Sequence, residues 1–274
     1  MKTNGQDRLK DKVIVVTGGT GVLGNTFVDA IIETGGCVGI LGRNEEVAAK
    51  RASAIRARGG KAIALIADVL NEGQLQEAKE KILQEYGKID GLVNGAGGIQ
   101  PSGVLMPGED IFKMDLEGMR RTADLNTWGT IIPTQVFGEA IATTSGKGSI
   151  VNISSMNSKR AITRVLGYNI GKAAVDCYTQ WYAVELANRY GDKIRMNALA
   201  PGFFLTGQNK KLLLNEDGTY TERGQLIINQ TPFKRFGNPD ELKGALVWLL
   251  SEESRFVTGA MICADGGFSI FGGV

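Results

Sequence analysis

Lys12-Val13-Ile14-Val15-Val16-Thr17, followed by Gly18-Gly19-Thr20-Gly21-Val22-Leu23-Gly24, is the stretch that decides the fold. The first six residues are short, apolar and β-branched without alternation, the mark of a strand buried on both faces. The glycines end it in a tight turn, and residues 22–34 then carry apolar side chains at helical spacing. The unit recurs. Strands over 37–41, 61–67 and 89–94 alternate with helices over 44–58 and 71–86. Such an unbroken series predicts a doubly wound α/β fold, a parallel sheet with helices on both faces. Further strands over 149–153, 193–199 and 260–264 bring the sheet to seven. Between them the pattern predicts two helices within 111–144, the second starting near Thr122, a long helix over 167–190 and another over 240–250. Residues 203–231 read as irregular with one helix. No repeat, linker or composition shift divides residues 1–274, so one domain is expected.

Composition narrows the chemistry. Apolar residues make up 43% and the formal net charge is +2, which argues against a nucleic-acid or membrane surface. No apolar run approaches the roughly 20 residues of a membrane span. The polar start of the chain lacks the apolar segment of a secretory signal. Cys37, Cys177 and Cys263 stand far apart in apolar segments and read as buried thiols in a reducing cytoplasm. The chain has no histidine, which excludes Ser-His-Asp hydrolysis, Cys-His proteolysis and histidine-based zinc sites, and no metal site is expected.

Gly19-x-Gly21-x-x-Gly24 joins the first strand to the first helix. Glycine there lets a pyrophosphate approach the N–H groups and dipole of the helix N-terminus. The second strand ends in Leu41-Gly42-Arg43-Asn44, where an acidic residue would bind the ribose 2′-hydroxyl of NAD. Gly42 takes that position, and a guanidinium at Arg43 suits the 2′-phosphate of NADP. NADP is therefore favoured over NAD, the alternative being an Arg43 that stacks on adenine or faces solvent. Asp68, with Val69 beside it, ends the third strand and is placed to bond the adenine edge; its other reading is a helix cap. Asn94-Gly95-Ala96-Gly97 ends the fourth strand, where open α/β sheets bind ligands.

Tyr168-Asn169-Ile170-Gly171-Lys172 begins the long predicted helix, and residues four apart share one helix face. A lysine ammonium beside a phenol, whose ordinary pKa is about 10, favours the phenolate and makes tyrosine usable as an acid/base.

Taken together, Thr17-Gly18-x-x-x-x-x-Gly24, Asp68, Asn94-x-Ala96-Gly97, Asn126, Ser155, Tyr168-x-x-x-Lys172 and Pro201-Gly202-x-x-x-Thr206 resemble the short-chain dehydrogenase/reductase family along nearly the whole chain. Gly21 stands one residue before the usual middle glycine, and Gly95 replaces a usual asparagine. The resemblance implies a Rossmann-type fold and transfer of hydride between NAD or NADP and a CH–OH group. It assigns catalysis to Asn126, Ser155, Tyr168 and Lys172. It assigns the cofactor to Gly18, Thr20, Gly21, Val22, Leu23, Gly24, Arg43, Asn44, Asp68, Val69, Asn94, Ala96 and Gly97. Tyr168, Lys172, Pro201, Gly202, Phe204 and Thr206 complete that set. In it Ser155 bonds the substrate oxygen, Lys172 lowers the Tyr168 pKa and Asn126 holds a relay water. A non-catalytic nucleotide-binding scaffold, the rival class, has no need of those four catalytic side chains.

Ser154-Ser155-Met156-Asn157-Ser158, Ala200-Pro201-Gly202-Phe203-Phe204-Leu205-Thr206 and Asp265-Gly266-Gly267-Phe268-Ser269 are similar, within that family, to bacterial D-mannonate oxidoreductases (fructuronate reductases). That likeness implies a sugar-acid substrate; another sugar acid or ketose, such as 5-ketogluconate, fits the same features. Lys159, Arg160 and Arg164 lie between Ser155 and Tyr168, where a guanidinium fork suits a carboxylate. Asn157, Gln208 and Asn209 are candidates for its hydroxyls. The family also implies a homotetramer or homodimer built on the long helices and last strand, with the 266–274 tail a candidate to reach a neighbour.

Overall fold

The apolar run near the start of the chain forms strand β1 (Val13–Thr17), whose side chains divide between two cores. Ile14 and Val16 join one core with Phe27, Val28 and Leu246; Val13 and Val15 join the other with Leu75, Phe137 and Ala183. Every residue of β1 is buried, which is why the stretch does not alternate. Burying one such side chain stabilises the fold by roughly 1.5–3 kcal/mol.

The computed structural model describes residues 7–206 and 209–273. The chain runs from β1 through α1 (Val22–Glu33), β2 (Cys37–Gly42), α2 (Glu45–Ala57), β3 (Lys61–Ile66), α3 (Glu72–Tyr86) and β4 (Gly91–Asn94). It continues with α4 (Leu116–Ala140), β5 (Gly148–Ile153), α5 (Leu166–Tyr190) and β6 (Ile194–Pro201). The last elements are α6 (Lys210–Leu213), α7 (Glu222–Gln230), α8 (Lys243–Leu250) and β7 (Met261–Ala264). One seven-stranded sheet has the order β3-β2-β1-β4-β5-β6-β7. All its pairings are parallel, with Thr17 in register with Leu41 on one side and Asn94 on the other. The order reverses between β1 and β4, and a crevice opens beyond the carboxyl ends of strands at such a switch point.

Two expectations are corrected. Residues 116–140 form a single helix, α4, capped by Asp115, whose side chain accepts from the Gly118 N–H. Thr122, read as a start signal, instead bonds back to the Gly118 carbonyl at 3.0 Å. Asn126, Thr130 and Thr134 repeat that i→i−4 bond at 2.8, 2.9 and 2.8 Å, so a buried polar stripe is satisfied within the helix. The 203–231 segment holds two helices, not one, because Asn209 and Thr221 each organise a turn ahead of a helix.

Of the three cysteines only Cys37 is buried; all are free thiols. Cys177 is exposed on α5 and Cys263 is exposed on β7, an edge strand, which has a neighbour on one side only. Among the described residues no helix is long and apolar enough to cross a membrane.

Candidate active site

The glycine turn after β1 is interlocked with the turn after β4. Thr17 Oγ1 accepts from the N–H groups of Gly95 and Ala96, both at 3.1 Å. Gly18 has φ +67°, and a methyl there would meet Ala96 N at 2.8 Å. A methyl at Gly24 would lie 2.0 Å from the Gly18 carbonyl oxygen. No side chain caps α1 at Gly21, and its first turn carries no acidic residue. The first-turn N–H groups of Val22, Leu23 and Gly24 are thus left for an anion. Bare backbone, an uncapped helix N-terminus and the switch point together fit a dinucleotide pyrophosphate.

At the end of β2, a side chain at Gly42 would meet Thr20 Oγ1 at 2.5 Å, so an acid does not fit there without displacing Thr20. Arg43 is exposed and lies 3.8 Å from Asp68, facing it across the rim of the crevice. Asn44 accepts from the Val47 N–H as the N-cap of α2, and Asn71 caps α3, which leaves Asp68 outside that role. Val69 is buried against Gly129, so its side chain belongs to the core beside the crevice. Asn94 is also buried, donating to Thr134 and Asn152.

Lys172 is only 4% exposed. Its ammonium donates to the Ile153 carbonyl at 2.7 Å and sits 5.5 Å from the centre of the Tyr168 ring. Burial lowers its pKa to about 8, against an opposing pull from Asp176 one turn along α5. Asp176 in turn accepts from the Ser154 hydroxyl. Tyr168 is half-buried, and burial pushes its phenol up, opposed by a hydrogen bond with Ser155. The expected depression of Tyr168 by Lys172 is thus not what this structure contains. Desolvation is the larger influence, and the opposing one comes from Ser155.

A buried lysine has a definite consequence for stability. Its folded pKa of about 8 lies below the unfolded 10.5, so between those values the unfolded chain binds the proton and the folded chain does not. Stability from this group therefore rises with pH across that window, by about 3 kcal/mol in all. Chemical denaturation from pH 8 to 10.5 is expected to show this rise in the parent and not in Lys172→Met; equal slopes would contradict it.

Ser155 follows β5 with extended backbone and is 6% exposed. Its Oγ accepts from the Asn157 N–H at 3.2 Å and donates to Asn157 Oδ1 at 3.1 Å. Asn157 donates on to Asn169, which donates to the Ile162 carbonyl, so the loop ahead of Tyr168 is held by an amide chain. Asn126 donates to the carbonyls of Gly98 and Thr122 and accepts from the Gly98 N–H. A methyl at Gly97 would meet Asn126 Oδ1 at 2.6 Å and Lys172 Nζ at 3.4 Å. Ser155, Tyr168, Lys172, Asn126 and the turn after β4 are therefore one cluster.

The predicted substrate residues separate. Arg160 is not a free fork: it donates to the carbonyls of Ser269 and Phe271 at 2.7 and 2.9 Å and holds the tail against its own chain. Asp265 accepts from Gly267 and Ser269 and closes the tail's first turn. Arg164 has no such partner among the described residues. Phe204 is buried, its ring against Gly237, so it offers the crevice only backbone. Gly202 packs on Asp265, where a methyl would sit 2.6 Å from Asp265 Cβ. Asn209 ties the turn by accepting from the Thr206 N–H and donating to the Phe204 carbonyl, which engages its amide. Gln208 and Val274 lie outside the described residues. A cavity of about 160 Å³ between Phe203, Phe233, Arg235 and Asp265 contains neither Tyr168 nor Lys172.

Thr17 and Asp176 were not singled out for site roles in the sequence. Thr17 abuts the glycine turn, and Asp176 stands four residues after Lys172; both spacings were there to be read.

A family model described as Enoyl-(Acyl carrier protein) reductase matches residues 21–269. The uncharacterized oxidoreductase UxuB of Bacillus subtilis (strain 168) is 40% identical over 277 aligned positions, covering 98% of each chain. A Haemophilus influenza protein, provisionally named a D-mannonate oxidoreductase and crystallised with NAD, superposes with a TM-score of 0.90. It is 36% identical, with 98% of this chain and 99% of that one covered. A gluconate 5-dehydrogenase of Burkholderia cenocepacia J2315, in complex with NADP and tartrate, superposes with a TM-score of 0.84 at 30% identity, covering 97% and 98%. The model match over most of the length, the full-length relatives and the shared parallel sheet agree: the chain belongs to the short-chain dehydrogenase/reductase family, and it is an NAD(P)-dependent oxidoreductase.

Proposed function

We propose that the protein interconverts a secondary alcohol and a ketone on a sugar acid, the pair being D-mannonate and D-fructuronate, with Tyr168 as the acid/base. The observation that carries the reading is the cluster of half-buried Tyr168, buried Lys172 and buried Ser155 beside the glycine turns. The bound cofactor supplies or takes up the hydride. In reduction Tyr168 donates its proton to the carbonyl oxygen, and in oxidation it takes the proton from the hydroxyl. Ser155 accepts from the Asn157 N–H, and its hydroxyl, turned from Asn157 Oδ1 to the substrate, gives that oxygen a second hydrogen bond and shares its developing charge. A lysine titrating near 8 both holds and releases a proton around neutral pH, which suits Lys172 to resupply Tyr168. Asn126 holds the Gly98 turn against this pair.

The Haemophilus protein's provisional name favours mannonate, and the Burkholderia enzyme's favours a gluconate substrate as the second reading. Steady-state oxidation of NADPH and NADH with D-fructuronate, 5-keto-D-gluconate and D-fructose separates the readings. Preference for D-fructuronate is expected; turnover confined to D-fructose would overturn the sugar-acid assignment.

NADP is the proposed cofactor, on the support of exposed Arg43 and the missing acid at Gly42. Arg43→Ala is expected to weaken NADPH binding roughly tenfold or more and leave NADH within about threefold. Equal affinity for NADPH before and after the change, read by cofactor fluorescence, would refute this.

The reading places the enzyme in the cytoplasm as a homotetramer. Trp128 on α4 and Trp181 and Val184 on α5 leave an exposed apolar face that supports assembly through these helices.

A further inference from the structure

Tyr168, Lys172 and Asp176 stand four residues apart on α5 and so share one face of that helix. Each meets one of three successive residues at the end of β5. The Lys172 ammonium donates to the Ile153 carbonyl at 2.7 Å. The Asp176 carboxylate accepts from the Ser154 hydroxyl at 2.5 Å. Tyr168 is hydrogen-bonded with Ser155. The segment they grip is itself fixed to the sheet. Ile153 lies in register with Leu199 on β6, and the Ser154 N–H donates to the Leu199 carbonyl at 2.8 Å. Lys172 and Asp176 are therefore held on adjoining residues of one rigid platform, and Ser154 is only 2% exposed.

Among the described residues, the other groups that face the ammonium are uncharged. Asn126 comes from α4 and the Gly97 backbone from the turn after β4; a methyl at Gly97 would meet Asn126 Oδ1 at 2.6 Å and Lys172 Nζ at 3.4 Å. The end of β5 brings the Ile153 carbonyl and Ser155, and α5 itself brings the Tyr168 phenol. A carbonyl dipole satisfies one N–H of a buried ammonium but does not balance its charge, and burial without a counter-charge drives a lysine neutral. Asp176 supplies the opposing charge. It is half-buried, so water competes for its carboxylate, and the Ser154 hydroxyl ties it inward.

We propose that Asp176, anchored by Ser154, is a positioning residue of the reaction: its negative charge keeps Lys172 protonated, so that the ammonium can restore the proton that Tyr168 gives to the carbonyl oxygen. Lys172 then regains a proton from water, and Asp176 exchanges none. The inference rests on the reading of Tyr168 as the acid/base and Lys172 as its proton source.

The test is made on Asp176→Asn, which keeps an acceptor oxygen for Ser154 and removes only the charge, with Asp176→Glu as the conservative variant. Chemical denaturation from about pH 6 to 10.5 reports Lys172 without any substrate, because stability rises with pH between its folded and unfolded pKa values. In Asp176→Asn the rise is expected to begin about one pH unit below the parent's onset near pH 8. Reduction of D-fructuronate draws on the ammonium, so the alkaline fall of its kcat is expected to move down by the same interval. A merely structural aspartate would move neither. Asp176→Glu returns both towards the parent. Ser154→Ala, which unties a carboxylate that stays charged, moves both the same way by less, and it decides the question where Asp176→Asn does not fold. An unmoved onset overturns the proposal. A lowered onset with an unmoved alkaline fall instead overturns Lys172 as the proton source, the reading beneath it.

Discussion

Tyr168→Phe is expected to lower kcat by a factor on the order of 10³–10⁴ while leaving NADPH affinity within about twofold. The ring keeps its volume and its packing beside Lys172, whose ammonium donates to the Ile153 carbonyl and not to the phenol. Ser155 keeps its Asn157 partner when the phenol is gone, so no buried donor is orphaned. What is lost, on the proposed mechanism, is the hydroxyl that exchanges a proton with the substrate oxygen. Rapid-mixing measurement of hydride transfer beside a fluorescence titration of cofactor separates the two effects. Turnover within tenfold of the parent would remove Tyr168 from the chemistry. Loss of cofactor binding in parallel would make its role structural.

Gly24→Ala is expected to be the most disruptive single methyl in the cofactor cradle. The added carbon would stand 2.0 Å from the Gly18 carbonyl oxygen, a backbone atom that no rotamer change can move. Either the glycine turn or the first turn of α1 must shift, and the N–H groups that face the pyrophosphate shift with it. Overpacking of this kind costs about 3 kcal/mol or more, a drop in melting temperature of roughly 5–10 °C, and cofactor affinity is expected to fall at least tenfold. Gly244→Ala is the matched control. It lies inside α8 with nothing within 4 Å of an added methyl. Better helix propensity there should stabilise the protein by roughly 0.5–1 kcal/mol. Calorimetric scans showing the two variants alike would sink the close-approach account of Gly24.

Much of this was legible in the chain itself. Strand β1 betrays its double burial because no position in it is polar before Thr17, and β2 and β4 repeat that pattern at the spacing of a βα unit. Tyr168 and Lys172 are readable because a helix converts a separation of four into adjacency. What escaped reading depended on contacts between distant segments. Thr122 looks like a helix start because threonine often caps; here its hydroxyl turns inward to Gly118, a choice fixed by burial under the Gly103 turn. Arg160 and Arg164 look equivalent in sequence, yet one reaches the tail carbonyls more than a hundred residues away and the other has no such partner among the described residues. The raised phenol of Tyr168 reflects desolvation, which local spacing does not encode.

The most direct test of the account is oxidation of D-mannonate by the purified protein with NADP and with NAD, beside D-mannitol, with the product identified. The account predicts formation of reduced cofactor and D-fructuronate in equal amounts, a strong preference for D-mannonate over the uncharged polyol, and faster turnover with NADP. Oxidation of D-mannitol at a comparable rate, or no reaction with D-mannonate or any other sugar acid, would contradict it.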